Sequence, residues 1–270
     1  MPRLALEWPD SDLVAGTTTR RLNFGRHTGD AAHLVSAAHH ALREWVAGRF
    51  DGVVGGEQVH GTRLFRADGI AVPESHPRSG PFFLKVAGTD GFLTATPGVL
   101  LTVGVADCVP AFLYAREPGA VALLHAGWRG VAASILSTAL DALESAYGVR
   151  PSDCLAYWGP AIGGCCYPVG EEVVEAIHAT SAGSRTERWL TGEAGRWRVD
   201  LRGALTAQAE SCGVPVGATT ASTLCTSCQE DVFHSYRRAR GAGGRMLAYA
   251  GRPARRAPGQ APRRGGLAGR

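Results

Sequence analysis

The stretch VLLTVGVADCVPAFLYA, Val99–Ala115, decides the fold. Two apolar runs, Val99–Val105 and Val109–Ala115, flank the polar step Asp107-Cys108, and neither run shows the polar alternation of a half-exposed strand. Strands of that composition are covered on both faces. Gly91–Thr96 upstream and Ala120–His125 downstream repeat the pattern between Pro and Gly boundaries, so the middle of the chain reads as four buried strands in succession. Cys108 falls between two of these strands, and His125 closes the last.

Outward from this centre the period changes. Leu34, Ala37, Ala38, Ala41, Leu42, Trp45 and Val46 form a helical stripe with Asp30 placed as N-cap, which predicts a helix over about Ala31–Ala47. After Gly130 the spacing of Val131, Ile135, Leu136, Ala139, Leu140, Leu143 and Tyr147 predicts an amphipathic helix ending near Gly148, making His125–Gly130 a strand-to-helix junction. Gly52–Ala67 reads as short extended runs and Val72–Gly80 as a loop. A strand over Cys154–Trp158 precedes a helix over Pro168–Ala179, with Glu171 and Glu172 near its positive end. A further helix is capped by Asp200 and ends at Gly213, and late strands lie near Val216–Ala221 and Arg245–Ala250. Without a regular βαβ period, this order predicts an α+β fold with mixed sheets.

With 270 residues, 45% hydrophobic and 19% charged, the chain can bury one substantial core, and residues 1–250 read as one domain. No apolar run reaches the roughly 18 residues of a membrane span. Met1–Asp10 lacks the apolar stretch of a secretory signal, so a cytoplasmic location is expected. Seven cysteines without regular spacing read as reduced thiols rather than a disulfide framework. The net charge of +4 comes from the last twenty residues, where six arginines meet no acid; without them 22 basic residues face 24 acidic ones. That balance leaves no general footprint for nucleic acid. Gly251–Arg270 reads as a basic, disordered tail.

Three residues of metal-ligand type stand where strand-like runs meet glycine-rich turns: His60 in EQVHG (Glu57–Gly61), Cys108 in ADCVP (Ala106–Pro110) and His125 in HAGWRG (His125–Gly130). Two imidazoles and a thiolate fit a catalytic zinc site, which keeps three protein ligands and one open position, better than a closed structural site. Their separations of 48 and 17 residues exceed those of a local finger, so the fold must bring them together. Asp107 is a candidate for orienting a histidine, acting as a base or capping a turn. Arg129, at the start of the expected helix, is a candidate grip for an anion such as phosphate. Arg26, His27, Arg237 and Arg238 are further anion-binding candidates. Cys165-Cys166 and Cys225-x-x-Cys228 are read as packing, because adjacent cysteines seldom supply the geometry of a four-thiolate site. No G-x4-G-K-[ST] loop and no G-x-S-x-G elbow occurs, which removes the usual anchors of ATPases and α/β-hydrolases.

Together with LNFGRHTGD (Leu22–Asp30), GPAIGGCCY (Gly159–Tyr167) and SYRR (Ser235–Arg238), these segments resemble the YfiH family, also known as the multicopper polyphenol oxidase or laccase-domain family and as peptidoglycan editing factor. The resemblance runs through most of the chain and rests on the set of motifs, not on any one. It implies an α/β/β/α sandwich and zinc bound through His60, Cys108 and His125, with copper as the other metal. It also implies phosphorolysis of purine nucleosides with phosphate, extending to methylthioadenosine, and deamination of adenosine. Cys108 and Asp107 are then the expected catalytic residues, and Arg129, Asn23 and Gln58 the expected substrate contacts. The alternatives are copper-dependent oxidation of phenols and a cysteine hydrolase, pairing Cys108 with His125, that edits a peptidoglycan precursor. Multicopper centres need many more than three histidines, and Met1 and Met246 are the only methionines to offer an axial ligand. The deaminase signature H-x-E with P-C-x-x-C is absent, so deamination would be convergent. The chain departs from the family pattern in its short lead-in, where Arg20-Arg21 directly precede Leu22-Asn23.

Overall fold

The computed structural model describes residues 3–5, 12–25, 32–70, 82–193 and 195–255. Strands and helices are numbered in chain order. One six-stranded sheet runs β1 (Arg3–Ala5), β2 (Val14–Thr18), β15 (Met246–Gly251), β7 (Val99–Val105), β3 (Gly52–Gly56), β5 (Phe82–Val86). The other runs β14 (Thr219–Ala221), β10 (Leu155–Trp158), β8 (Val109–Ala115), β9 (Ala120–Ala126), β6 (Gly91–Thr94), β4 (Leu64–Arg66). A small third sheet joins β11 (Pro168–Val169), β13 (Trp197–Val199) and β12 (Leu190–Thr191). Both large sheets are mixed, as expected: β3 is parallel to β5 and β7, while β8 and β9 form an antiparallel hairpin.

Three cores make four layers. Helix α1 (Ala32–Val46) packs Ala38, Leu42 and Val46 on Val53, Leu100 and Tyr249 of the first sheet. Between the sheets, Leu101, Val103 and Val105 meet Phe112, Tyr114, Val121 and Leu123. The far face of the second sheet, with Ala111, Leu113, Ala122 and Leu124, is covered by helices α2 (Trp128–Ala132), α3 (Ile135–Tyr147), α4 (Glu171–His178) and α5 (Leu201–Ser211). Successive residues of β8 and β9 thus serve different cores, as the two-residue period of a strand requires. Burying each Leu or Phe side chain contributes about 1.5–3 kcal/mol, which explains why both faces of the hairpin are apolar. The result is the α/β/β/α arrangement.

Several boundaries differ from the sequence reading. The helix expected after Gly130 is two helices, broken at Ser134, whose backbone is left-handed at φ 60°. Pro168 and Val169 pair as β11, and α4 begins only after Gly170. Asp200 does cap α5, its Oδ1 accepting from Arg202 N at 3.0 Å. The tail boundary expected at Gly251 falls inside the first sheet: Gly251 pairs with Val14 and Leu100, and Ala254 N donates to the Arg49 carbonyl at 2.9 Å. Residues 256–270, Asp30 and the loop Val72–Gly80 lie outside the described residues. Among the described residues no helix is long and apolar enough to cross a membrane.

Candidate metal centre

The β8–β9 register places Pro110 opposite His125 and Val109 opposite Ala126, so the next step back sets Cys108 against Gly127. Cys108 and His125 are in phase with Phe112, Tyr114, Val121 and Leu123, and both project at the end of the space between the sheets. The turn after β3 brings in His60. The ligand atoms of His60, Cys108 and His125 all lie within 4.8 Å of one another, and the two imidazole rings meet edge to face at 71°. A Cβ at Gly127 would stand 2.9 Å from Cys108 Sγ and 2.9 Å from His60 Cδ2. Only glycine permits this approach. His125 is buried, Cys108 half-buried and His60 exposed, so the cluster opens toward His60.

Asp90 holds the arrangement together, and sequence reasoning missed it. This fully buried residue precedes β6, where Gly91 pairs with Leu124, so it lies across the ladder from His125. Its carboxylate accepts from the N–H groups of Val59, His60 and Gly61 at 3.0, 2.9 and 2.8 Å, and from His125 Nδ1 at 2.9 Å. Three successive amides converging on one anion form a nest, and His60 adopts φ 61° to complete it. Burial pushes the Asp90 pKa up, but His125 and the Gly61 and Val59 amides outweigh it and hold the carboxyl below its ordinary range. An ionised Asp90 takes the Nδ1 proton of His125 as its hydrogen bond and leaves Nε2 free to act as a ligand. The only sequence signal was an acid at the mouth of an apolar strand.

Charge is coupled within the cluster. Burial raises the Cys108 pKa, yet the neighbouring His125 and His60 bring it down to about 6. Burial lowers the His125 pKa, yet the Cys108 thiolate and Asp90 bring it up to about 9. A thiolate beside two imidazoles, one of them oriented by a carboxylate, is a donor set that fits zinc or copper. The Gly127 cradle leaves no room there for a side chain in place of an ion.

The site faces a cavity of about 1000 Å³. Arg43, Arg129, Tyr167, Tyr236, Arg237 and Arg245 line it with the three candidate ligands. Arg129 is exposed and stacks over Trp128 at 4.3 Å. Because α2 has a single turn, any anion contact at this end rests on the guanidinium more than on a helix dipole. Arg237 stacks over Tyr167 at 4.9 Å. Arg238 instead donates to the carbonyls of Thr226, Ser227 and Phe233, a clamp on its own loop. Arg26 and His27 lie outside the described residues.

The remaining candidates occupy other positions than expected. Among the described residues Asp107 orients no histidine: its carboxylate accepts from Thr226 Oγ1 at 2.6 Å, Ser235 Oγ at 3.0 Å and Arg237 N at 2.7 Å, from a turn residue at φ 86°. Gln58 lines the cavity, but its amide is engaged by Gly104, donating through Nε2 and accepting through Oε1 at 2.8 Å each. Asn23 is buried behind the wall, its Oδ1 accepting from Gly25 N and Arg245 N, so it positions Phe24 and Arg245. Cys165, Cys166, Cys225 and Cys228, read from sequence as packing, have all four sulfurs within 4.8 Å of one another.

The family model described as multi-copper polyphenol oxidoreductase laccase matches residues 14–252. Among curated proteins, the purine nucleoside phosphorylase YlmD of Geobacillus stearothermophilus is 38% identical over 90% of this chain and 92% of its own. A purine nucleoside phosphorylase of Deinococcus radiodurans is 40% identical over 73% of this chain and 69% of its own. Among solved structures, YlmD from Geobacillus stearothermophilus superposes with a TM-score of 0.78 at 34% identity, covering 93% of this chain and 99% of that one. The Bacillus licheniformis hypothetical protein YfiH gives 0.77 at 30% identity, covering 88% and 92%. A match through nearly the whole fold, with relatives at this identity, makes the chain a member of the laccase-like YfiH family.

Proposed function

We propose that this chain is a zinc-dependent purine nucleoside phosphorylase acting in the cytoplasm, with the metal held by His60, Cys108 and His125. The observation that carries this reading is one cavity that joins a three-residue cluster of metal-ligand type to four arginines and two tyrosines. Two relatives bearing that enzyme's name support it. A bound zinc would supply a Lewis acid for an oxygen of phosphate or ribose.

The residues of the chain then divide the work. Arg129 and Arg237 hold phosphate, whose oxygen attacks the ribose C1′ carbon. The C1′–N9 bond breaks, and its electron pair leaves with the purine, which takes up a proton. Burial, and then the Cys108 charge, push the Tyr167 pKa up to about 12, so its hydroxyl stays protonated at neutral pH and serves as a hydrogen-bond donor in the wall. Tyr236 offers a face for the base. Asp107 acts through Arg237, fixing the backbone from which that guanidinium extends.

The geometry favours this over copper oxidation of phenols. Met246 is buried, accepts from His234 N through its sulfur at 3.0 Å and does not line the cavity, so it offers no axial ligand. The Cys108–His125 pair would also suit a cysteine hydrolase, which predicts a metal-free protein that is fully active and is inactivated by thiol alkylation.

Product analysis tests the proposal. Adenosine, inosine and methylthioadenosine, each incubated with and without phosphate, should yield free base and the 1-phosphate of the sugar in equal amounts, only when phosphate is present. Base release without phosphate would mean hydrolysis. Inosine as the sole product from adenosine would mean a deaminase.

A further inference from the structure

A second thiol cluster lies outside the cavity lining and is not used by the reaction above. Cys165 and Cys166 lie in the turn that Cys166 N closes on the Gly163 carbonyl, and Cys225 and Cys228 belong to the loop that returns to it. Backbone pairing joins the two segments: Ala161 bridges Cys225 in parallel, and Thr226 N donates to the Ala161 carbonyl at 3.0 Å. Cys228 Sγ lies 3.3 Å from Cys166 Sγ and 3.6 Å from Cys165 Sγ, and all four sulfurs fall within 4.8 Å. In a tetrahedron with zinc–sulfur bonds of about 2.3 Å, the sulfurs stand about 3.8 Å apart. All four cysteines are free thiols here.

We propose that Cys165, Cys166, Cys225 and Cys228 bind one zinc ion in a closed, structural four-thiolate site. The surroundings favour concentrated negative charge. Gly163 N donates to Cys225 Sγ at 3.3 Å. Arg198 donates to the Cys165 carbonyl at 2.6 Å, Arg202 to those of Ser222 and Leu224, and Arg238 to those of Thr226 and Ser227, so three guanidiniums grip the ligand-bearing segments. With four protein ligands no coordination position remains for substrate. The ion acts as a clamp: Thr226, beside Cys225, bonds Asp107, and Tyr167, beside Cys166, lines the cavity. Fastening the two loops keeps one wall of the active cavity in place.

Metal analysis of the full chain, purified reduced and equilibrated with zinc, tests this. Cys228→Ser should lower the zinc content by one equivalent per chain, and so should Cys165→Ser, a second substitution at an exposed side chain. Cys108→Ala should keep that equivalent, so the outcome does not depend on the metal at the catalytic cluster. A chelator should lower the Tm of Cys108→Ala and leave that of Cys108→Ala/Cys228→Ser unchanged. Zinc content in both serine variants equal to that of the unmutated chain would overturn the proposal. So would iron in place of zinc, or a mass lower by two hydrogens from a Cys166–Cys228 disulfide.

Discussion

Asp90 and Asp107 are both buried, both flank a strand of the second sheet and both accept three or more hydrogen bonds from distant segments, yet they do different things. The Asp90 carboxylate bonds one candidate ligand imidazole and the backbone that carries the other, whereas the carboxylate of Asp107, adjacent to Cys108 in sequence, bonds the loops around Thr226 and Ser235–Arg237. Adjacency along the chain does not make a residue a partner of the metal centre. The antiparallel ladder does, because it sets Asp90 across from His125.

The widest separation between the two should appear in metal binding. Asp90→Ala removes the acceptor for three amides and for Nδ1 of His125, and zinc affinity should fall about 10–100-fold, measured by competition with a chromophoric chelator. Asp107→Ala should leave zinc affinity within about twofold. Equal losses in both variants would break the comparison.

Stability comes next. Asp107→Ala leaves the Thr226 and Ser235 hydroxyls and the Arg237 amide without their acceptor and should cost about 3 kcal/mol in denaturant unfolding. Little change there would mean that the loops hold without it.

The smallest effect belongs to a third carboxylate, away from both. Asp68 accepts from Arg66 Nε, Thr94 Oγ1, Ala95 N, Thr96 Oγ1 and Tyr147 Oη. Burial pushes its pKa up, but Tyr147, Arg66 and the Ala95 and Thr94 donors outweigh it and hold it well below the carboxylate range. Because the folded value is depressed, the stabilisation is complete above the unfolded value near 4 and is lost as the pH falls toward the folded one. Asp68→Asn should therefore cost about 1–2 kcal/mol at pH 7 and clearly less at pH 3. A cost that does not change with pH would show that charge contributes nothing at this position.

Much of this architecture was legible in the residues. The strands Val99–Val105 and Val109–Ala115 match to the residue, because burial on both faces leaves an unbroken apolar run with sharp ends. Val14–Thr18 and Phe82–Val86 escaped notice: the first is small and polar for a strand, and the second shows only partial burial. Helix α2 stops early because Ser134 takes a left-handed backbone, which no local pattern announces. At the site, the three candidate ligands that the fold brings together stood out by residue type and by resemblance, while Asp90 depended on a strand register that no single segment encodes. The same is true of Cys225, which reaches Cys165-Cys166 only through the pairing at Ala161.

Stepwise zinc reconstitution tests the central claim most directly. Protein stripped of metal is titrated with zinc while phosphate-dependent release of purine from adenosine or inosine is followed, in the Cys228→Ser background so that only the His60–Cys108–His125 cluster fills. Activity should start near zero, rise in proportion to occupancy and saturate at one zinc per chain, and the Cys108→Ala/Cys228→Ser protein should stay inactive throughout. Full turnover by the stripped protein would contradict the claim.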